Sequence, residues 1–140
     1  MGQDSDRDGP WTRKERLSTK LIFPRVLIIG TETFLRNKVL DLLQARGIKT
    51  EALDSGIGAT QKIADESLNT VVIMDLIDAM SPEAVIKLLR DNARTRDVGI
   101  IAFVDPRAEP PGGIDMSFGK GTLSNLTDVI VDVCERRAGR

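Results

Sequence analysis

Short apolar runs alternate with helical periodicities along most of this chain, and this alternation limits its possible folds more than any other feature. Strands are predicted at residues 26–29, 49–53, 71–74, 100–104 and 116–118. Most of the segments between them carry apolar residues at helical spacing, as at Leu35, Val39 and Leu43. Gly47 marks the predicted end of the first helix, and Ser55 is the predicted cap of the second. Because strands alternating with helices form parallel sheets that are covered on both faces, the pattern predicts an α/β fold.

Five strands in one domain favour a flavodoxin-like, doubly wound parallel sheet with strand order 2-1-3-4-5. The domain is predicted over residues 25–137, between an N-terminal extension at 1–24 and a short tail at 138–140. The extension begins with a polar, charged stretch that cannot bury enough apolar surface to order itself. Its second half is either a solvated linker or a short helix with Trp11, Leu17 and Leu21 on one side.

Composition excludes several classes of function. Twenty basic and 21 acidic residues leave a net charge of -1, so nucleic acid and anionic membranes are not expected partners. The chain has one cysteine, Cys134, and no histidine, which excludes an intrachain disulfide, a Cys/His zinc site and catalysis by imidazole. Its apolar runs are too short to span a membrane, and no signal peptide is visible, so we expect a cytoplasmic protein.

The strand at 71–74 runs directly into Asp75, and Ser81, Pro82 and Glu83 then carry the signals of a helix start. In open parallel sheets, ligands bind outside the carboxyl ends of the strands. Asp75 therefore occupies a position typical of a functional residue. The plainer alternative is an acid that caps the next helix or has lost its function.

Residues 24–137 resemble the receiver domains of bacterial response regulators, the CheY-like fold, in strand order, helix spacing and landmark positions. Asp75 matches the aspartate that accepts a phosphoryl group in that family, and the loop DLIDAMSPEA is similar to its Asp-x-x-Met-Pro turn. Lys120, in SFGKGTL, matches the lysine that pairs with the phosphate. A structural salt bridge between Asp75 and Lys120 is the alternative role.

Other positions depart from the family pattern. The two acids that bind Mg²⁺ after the first strand are replaced by Gly30 and Thr31, and the hydroxyl residue after the fourth strand is replaced by Val104. Mg²⁺ needs carboxylate anchors, so we expect weak Mg²⁺ binding at best and no other cofactor. Glu32, one position later, is the remaining candidate metal ligand beside Asp75.

The segment between the fourth and fifth strands is short and contains three prolines and two glycines. An interior proline costs a helix about 3 kcal/mol and a glycine about 1 kcal/mol. We therefore predict that the fourth helix of the family is missing or reduced to a loop. Apolar groups on that flank would then need cover from the N-terminal segment or from a second protein.

Three functions follow from these residues. The favoured hypothesis is a non-enzymatic pseudo-receiver that signals by binding protein partners, a second copy of the chain among them. The alternative is an atypical receiver that is phosphorylated on Asp75, with Glu32 in place of the lost acids. The third is a nucleotide-binding module, suggested by IIGTETFLRN and by Asp54, although Glu32 and Phe34 would obstruct a pyrophosphate.

Overall fold

The computed structural model describes residues 23–105 and 107–138. Almost all of the predicted extension, with Trp11, Leu17 and Leu21, and the last two residues of the tail lie outside this part of the chain. The strands are β1 (Arg25–Ile29), β2 (Lys49–Leu53), β3 (Thr70–Ile73), β4 (Gly99–Phe103) and β5 (Met116–Phe118). The helices are α1 (Phe34–Ala45), α2 (Ala59–Asp65), α3 (Pro82–Asp91) and α4 (Leu126–Ala138), the last preceded by a 3-10 helix, Lys120–Asn125.

The five strands form one parallel sheet in the order β2-β1-β3-β4-β5, which confirms the predicted fold class. Ile29 at the end of β1 lies opposite both Leu53 and Ile73, so three strands end at the same level. We call this end of the sheet the carboxyl edge and the opposite end the amino edge. The loops that follow β1, β2 and β3 meet at the carboxyl edge.

Helices cover both faces of the sheet. Side chains alternate between the two faces along each strand, so each strand contributes apolar side chains to a core on either face. Leu27 and Ile29 of β1 face the core formed with α2 and α3, whereas Val26 and Ile28 face the core formed with α1 and α4. All four are fully buried. None of the described helices has the length and apolar character needed to cross a membrane.

Two of the predicted helix boundaries are confirmed and a third is wrong. Ser81 caps α3 by accepting a hydrogen bond from the Ala84 N–H at 3.1 Å, and Gly47 follows α1 with a φ of 79°. Ser55 does not cap α2, because its hydroxyl accepts instead from the Ile57 N–H at 3.1 Å, in a turn. Gly58 is the N-cap, and its φ of 81° suits glycine.

No helix forms among the described residues between β4 and β5, as the prolines and glycines predicted. This connection is instead held against α3. The Nε of Arg90 donates to the carbonyl oxygen of Gly113 at 2.9 Å, and Ile114 packs against the core beneath α3. The loop therefore supplies part of the cover that a helix would have given to this side of the sheet.

A half-buried ionic cluster anchors the same connection at the amino edge. Asp115 accepts hydrogen bonds from the Ile100 N–H at 2.8 Å, from Arg137 at 2.9 Å and from Arg90 at 3.3 Å. Burial, the largest single influence, favours the neutral acid. The N–H of Ile100 and the two guanidinium groups outweigh it and lower the pKa of Asp115 from 3.8. This cluster, which we call the Asp115 clamp, ties β5 to α3 and α4.

Candidate functional site

Asp75 lies where β3 reaches the carboxyl edge, and its side chain is exposed. No described residue gives its carboxylate a hydrogen bond or an ion pair. It lines a cleft of about 790 Å³ together with Lys120, which is also exposed. The ion pairs within residues 23–105 and 107–138 do not join these two side chains. The structure thus brings both predicted phosphate-site residues to one cleft and leaves both charges available.

Two aromatic side chains form part of the wall of this cleft. Phe103 and Phe118 meet edge to face, with their ring centroids 5.3 Å apart. Val104 follows β4, and its N–H donates to the carbonyl oxygen of Phe118 at 2.8 Å, which places the predicted hydroxyl position in the cleft beside Asp75. A valine side chain cannot donate a hydrogen bond to a phosphate oxygen. Of the two residues predicted to contact the phosphate, Lys120 and Val104, only Lys120 can therefore donate a hydrogen bond.

The first acidic-pair position is closed by packing. Gly30 is buried at the end of β1, and a Cβ atom added there would lie 2.6 Å from both the Cβ and the Cγ of Met74. These Met74 atoms lie next to its backbone and cannot move aside as the end of a flexible side chain would. Gly30 thus has no room even for a methyl group, and much less for a carboxylate.

Thr31, at the second acidic-pair position, forms hydrogen bonds that join two loops. The Thr31 N–H donates to the carbonyl oxygen of Leu76 at 2.8 Å, and the Thr31 hydroxyl donates to Asp78 at 2.5 Å. Thr31 therefore links the loop after β1 to the loop after β3. Its oxygen is already engaged with a neighbouring carboxylate.

No protein-family model matches the chain, and no curated protein matches it. Solved structures do. The receiver domain of a sensor histidine kinase from Pseudomonas aeruginosa PAO1, which holds a magnesium ion in its active site cleft, matches with a TM-score of 0.70 at 13% identity, over 81% of this chain and 98% of that one.

Two further structures give the same result. A putative response regulator from Chloroflexus aurantiacus matches with a TM-score of 0.63 at 20% identity, over 78% of this chain and 98% of that one. A CheY-like response regulator receiver domain from Methylobacillus flagellatus matches with a TM-score of 0.67 at 16% identity, over 79% and 98% of the two chains. The chain has the receiver-domain fold. At these identities the likeness establishes the fold alone.

Within this receiver fold, the metal-binding geometry is not assembled by the described residues. They contain no group of three or more His, Cys, Asp or Glu side chains placed to hold a metal ion. Glu32 is exposed, and its carboxylate accepts a long hydrogen bond of 3.5 Å from Asn37. The assignment of Glu32 and Asp75 as metal ligands stays a prediction.

A buried arginine, which the sequence did not single out, lies beneath the loop after β1 of the receiver fold. Arg36 is 8% exposed, and its Nη1 donates to the carbonyl oxygen of Gly30 at 3.3 Å and to Asp54 at 3.0 Å. The sequence did contain a signal for the burial of Arg36, because positions 36, 39 and 43 are spaced to lie on one face of α1, and that face is buried. A positive charge bonded to Gly30 disfavours a divalent cation in the same place.

The nucleotide-binding hypothesis also stays a prediction for this receiver fold. The N-terminus of α1, where a phosphate would bind, is capped by the Thr33 hydroxyl, which accepts from the Arg36 N–H at 3.1 Å. The first residue of the helix is Phe34. Thermal unfolding with NAD or ATP tests the hypothesis, because a ligand that binds the native state raises the Tm.

Proposed function

We propose that this chain is a non-catalytic pseudo-receiver, a signalling module that acts through protein–protein contacts with weak or no phosphorylation. The observation that carries the proposal is the packing of Gly30 against Met74, which leaves no space for the first acid of the metal-binding pair. The structural neighbours from Pseudomonas and Chloroflexus are described as a domain of a sensor kinase and as a response regulator, which supports a role in such signalling.

Charge supports the same proposal. Phosphoryl transfer needs a metal ion to neutralise the negative charge that accumulates on the transferred group. Asp75 is the one carboxylate in its expected place, and the guanidinium of Arg36, which donates to the Gly30 carbonyl oxygen and to Asp54, adds positive charge beside the lost pair. With one anchor and a cation nearby, Mg²⁺ binding and phosphorylation should both be weak. The scaffold then serves for docking, as a cytoplasmic module without enzymatic activity of its own.

Amide NMR spectra with Mg²⁺ and beryllofluoride, a phosphoryl mimic, test this proposal. We expect no chemical-shift change around Asp75 or Lys120 in the wild type. The control variants are Asp75→Asn, which removes the acceptor, and Asp105→Asn, which removes a different acid of the same cleft. Changes at residues 74–76 and 120 that persist in Asp105→Asn and vanish in Asp75→Asn would contradict the proposal.

The second candidate is a phospho-accepting receiver, and one observation favours it. The carboxylate of Asp75 is exposed and has no partner among the residues that the structure describes, with the equally unpaired Lys120 in the same cleft. An unpaired carboxylate and an unpaired ammonium in one cleft leave an acceptor for a phosphoryl group and a cation that can contact its oxygens. The same spectra decide between the two functions, since only the second produces a response that depends on Asp75.

A further inference from the structure

We infer that the carboxyl edge binds a cationic amphipathic helix of a partner protein through three exposed apolar side chains, Phe34, Ile57 and Leu76. This inference rests on the proposed function, because it names the kind of partner that a non-catalytic module would dock. The three side chains are 84%, 72% and 58% exposed. They are three of the five large apolar side chains that are exposed in the described residues; the others are Phe23 and Leu88. We call these three side chains the apolar rim.

Hydrogen bonds between loops hold the three parts of the apolar rim together. The loop after β1, which leads to Phe34, is bonded to the loop of Leu76 through the Thr31 N–H at 2.8 Å. The loop after β3 is bonded to the loop that carries Ile57, because the Asp78 N–H donates to the carbonyl oxygen of Asp54 at 2.9 Å. The rim is therefore presented on a connected framework rather than on three independent loops.

Carboxylates outnumber cations on the loops of the apolar rim. The same three loops carry four exposed acids: Glu32, Asp54, Asp75 and Asp78. The cations beside them are Arg36, which is buried and paired with Asp54, Lys38, whose ammonium lies 5.9 Å from the ring centroid of Phe34, and Lys120, which lines the cleft of Asp75. An apolar surface bordered by negative charge complements a helix with an apolar stripe and lysines or arginines beside it.

The dimensions of the apolar rim suit a helix. Its residues follow three adjacent strands, which lie about 4.8 Å apart, so the loops that lead to them start within about 10 Å of one another. Residues i, i+4 and i+7 on one face of a helix cover about the same distance, at about 1.5 Å per residue. A partner strand would need a row of free backbone groups, but the loops here use the N–H groups of Thr31 and Asp78 between themselves.

The acids also argue against other occupants of the apolar rim. A second copy of the chain facing the rim would bring the same four carboxylates together, and like charges in contact are unfavourable. Anionic lipids and nucleic acids would be repelled for the same reason. A cationic protein segment is the partner class that uses both the apolar and the charged parts of this surface.

Fluorescence anisotropy with a synthetic peptide tests the inference on the full chain. The peptide has about 14 residues, with leucine at i, i+4 and i+7 and lysine at most other positions. Two comparison peptides have glutamate in place of lysine, or the same residues in an order that breaks the apolar stripe. We expect the basic amphipathic peptide to bind at least about tenfold more tightly than either.

Single substitutions locate the site. Phe34→Ser, Ile57→Ser and Leu76→Ser should each weaken binding about tenfold, as expected for central apolar contacts. Leu88→Ser is the matched control, because Leu88 is a partly exposed leucine on α3, away from the apolar rim, and it should leave binding unchanged. Circular dichroism checks that each variant is folded. Equal affinity of the rim variants and the wild type, or no binding at all, would overturn the inference.

Two further measurements separate the competing outcomes. Peptide titrations with and without Mg²⁺ and beryllofluoride should agree; binding that needs both would support the apolar rim but contradict the proposed function. If the peptide does not bind in either condition, the inference fails, and the amide spectra still decide the proposed function by themselves. Sedimentation measures the oligomeric state, and a dimer that Leu76→Ser dissociates would show that the rim binds a second copy instead.

Discussion

Two aspartates at opposite edges of the sheet are held in contrasting ways. Asp115, at the amino edge, accepts a backbone N–H and contacts two arginines, and its side chain is 15% exposed. Asp75, at the carboxyl edge, is exposed and has no partner in the described part of the chain. Charge at the amino edge is thus used to hold β5 in place, whereas the charge of Asp75 at the carboxyl edge remains free to meet a ligand or a partner.

This contrast explains how the fold remains intact without a helix between β4 and β5. The Asp115 clamp ties the shortened connection to α3 through Arg90 and to α4 through Arg137. Stability can then depend on the amino edge, so that exposed side chains at the carboxyl edge, such as Asp75, are free to change without unfolding the domain. Substitutions of the two aspartates should therefore differ strongly in their effect on the free energy of unfolding.

Asp115→Ala should have the largest effect. It leaves the guanidinium groups of Arg90 and Arg137 without their shared carboxylate and the Ile100 N–H without its acceptor. We expect the free energy of unfolding to fall by about 3 kcal/mol, as measured by urea denaturation. Asp91→Ala is the control, since it breaks an exposed pair with Lys87 and should cost about 0.5 kcal/mol or less. Equal losses in both variants would show that the clamp does not stabilise the fold.

Gly30→Ala should follow, with a loss of about 1–3 kcal/mol in the free energy of unfolding, because the added methyl group overlaps Met74. The control is Gly112→Ala, where a Cβ meets no atom within 4 Å. Met74→Ala removes the Cγ atom and relieves that part of the overlap, so it should cost less in the Gly30→Ala background than in the wild type, which a double-mutant cycle measures. Independent, additive losses would argue against the overlap.

Lowering the pH should weaken the Asp115 clamp at the amino edge. The pKa of Asp115 is lowered from 3.8 in the folded state, so its stabilising effect is fully present above that pH and is lost as the pH falls below it. Asp115→Asn should therefore show a smaller loss of stability on acidification than the wild type. Urea denaturation near neutral pH and below pH 3.8 measures the difference. A wild type and variant that lose stability in parallel would contradict this assignment.

Asp75→Asn should have the smallest effect, since no interaction in the described residues depends on its carboxylate. The free energy of unfolding should change by no more than about 0.5 kcal/mol. A larger loss, measured by the same denaturation, would mean that Asp75 is part of the framework. The comparison between the two aspartates would then fail.

Local sequence signals predicted much of this fold. The parallel α/β sheet followed from the alternation of apolar runs with helical periodicities, and its strand order from the flavodoxin-like form that five strands favour. Ser81 and Gly47 marked helix boundaries, and prolines and glycines between β4 and β5 predicted the missing helix. Ser55 was misleading, because a hydroxyl in a turn and a hydroxyl at a helix cap look alike in sequence.

The candidate site was less predictable, because its decisive contacts join residues that are far apart in the chain. The sequence shows a glycine at position 30, but the overlap that closes this position involves Met74, which directly follows another strand, β3. In the same way, Asp115 meets Arg90 and Arg137 only after α3 and α4 have packed. Such contacts depend on the tertiary structure, which periodicity and propensity do not encode.

The close approach of Gly30 to Met74 also bears on how a chain like this can evolve. Regaining an acid at position 30 would first require a smaller residue at position 74, and that change alone would open a cavity in the core. Each substitution alone lowers the stability of the fold, so the effect of a change at one position depends on the residue at the other. Under the proposed function, a mutational barrier thus separates this sequence from metal-dependent chemistry, whereas new docking partners can be reached one surface substitution at a time.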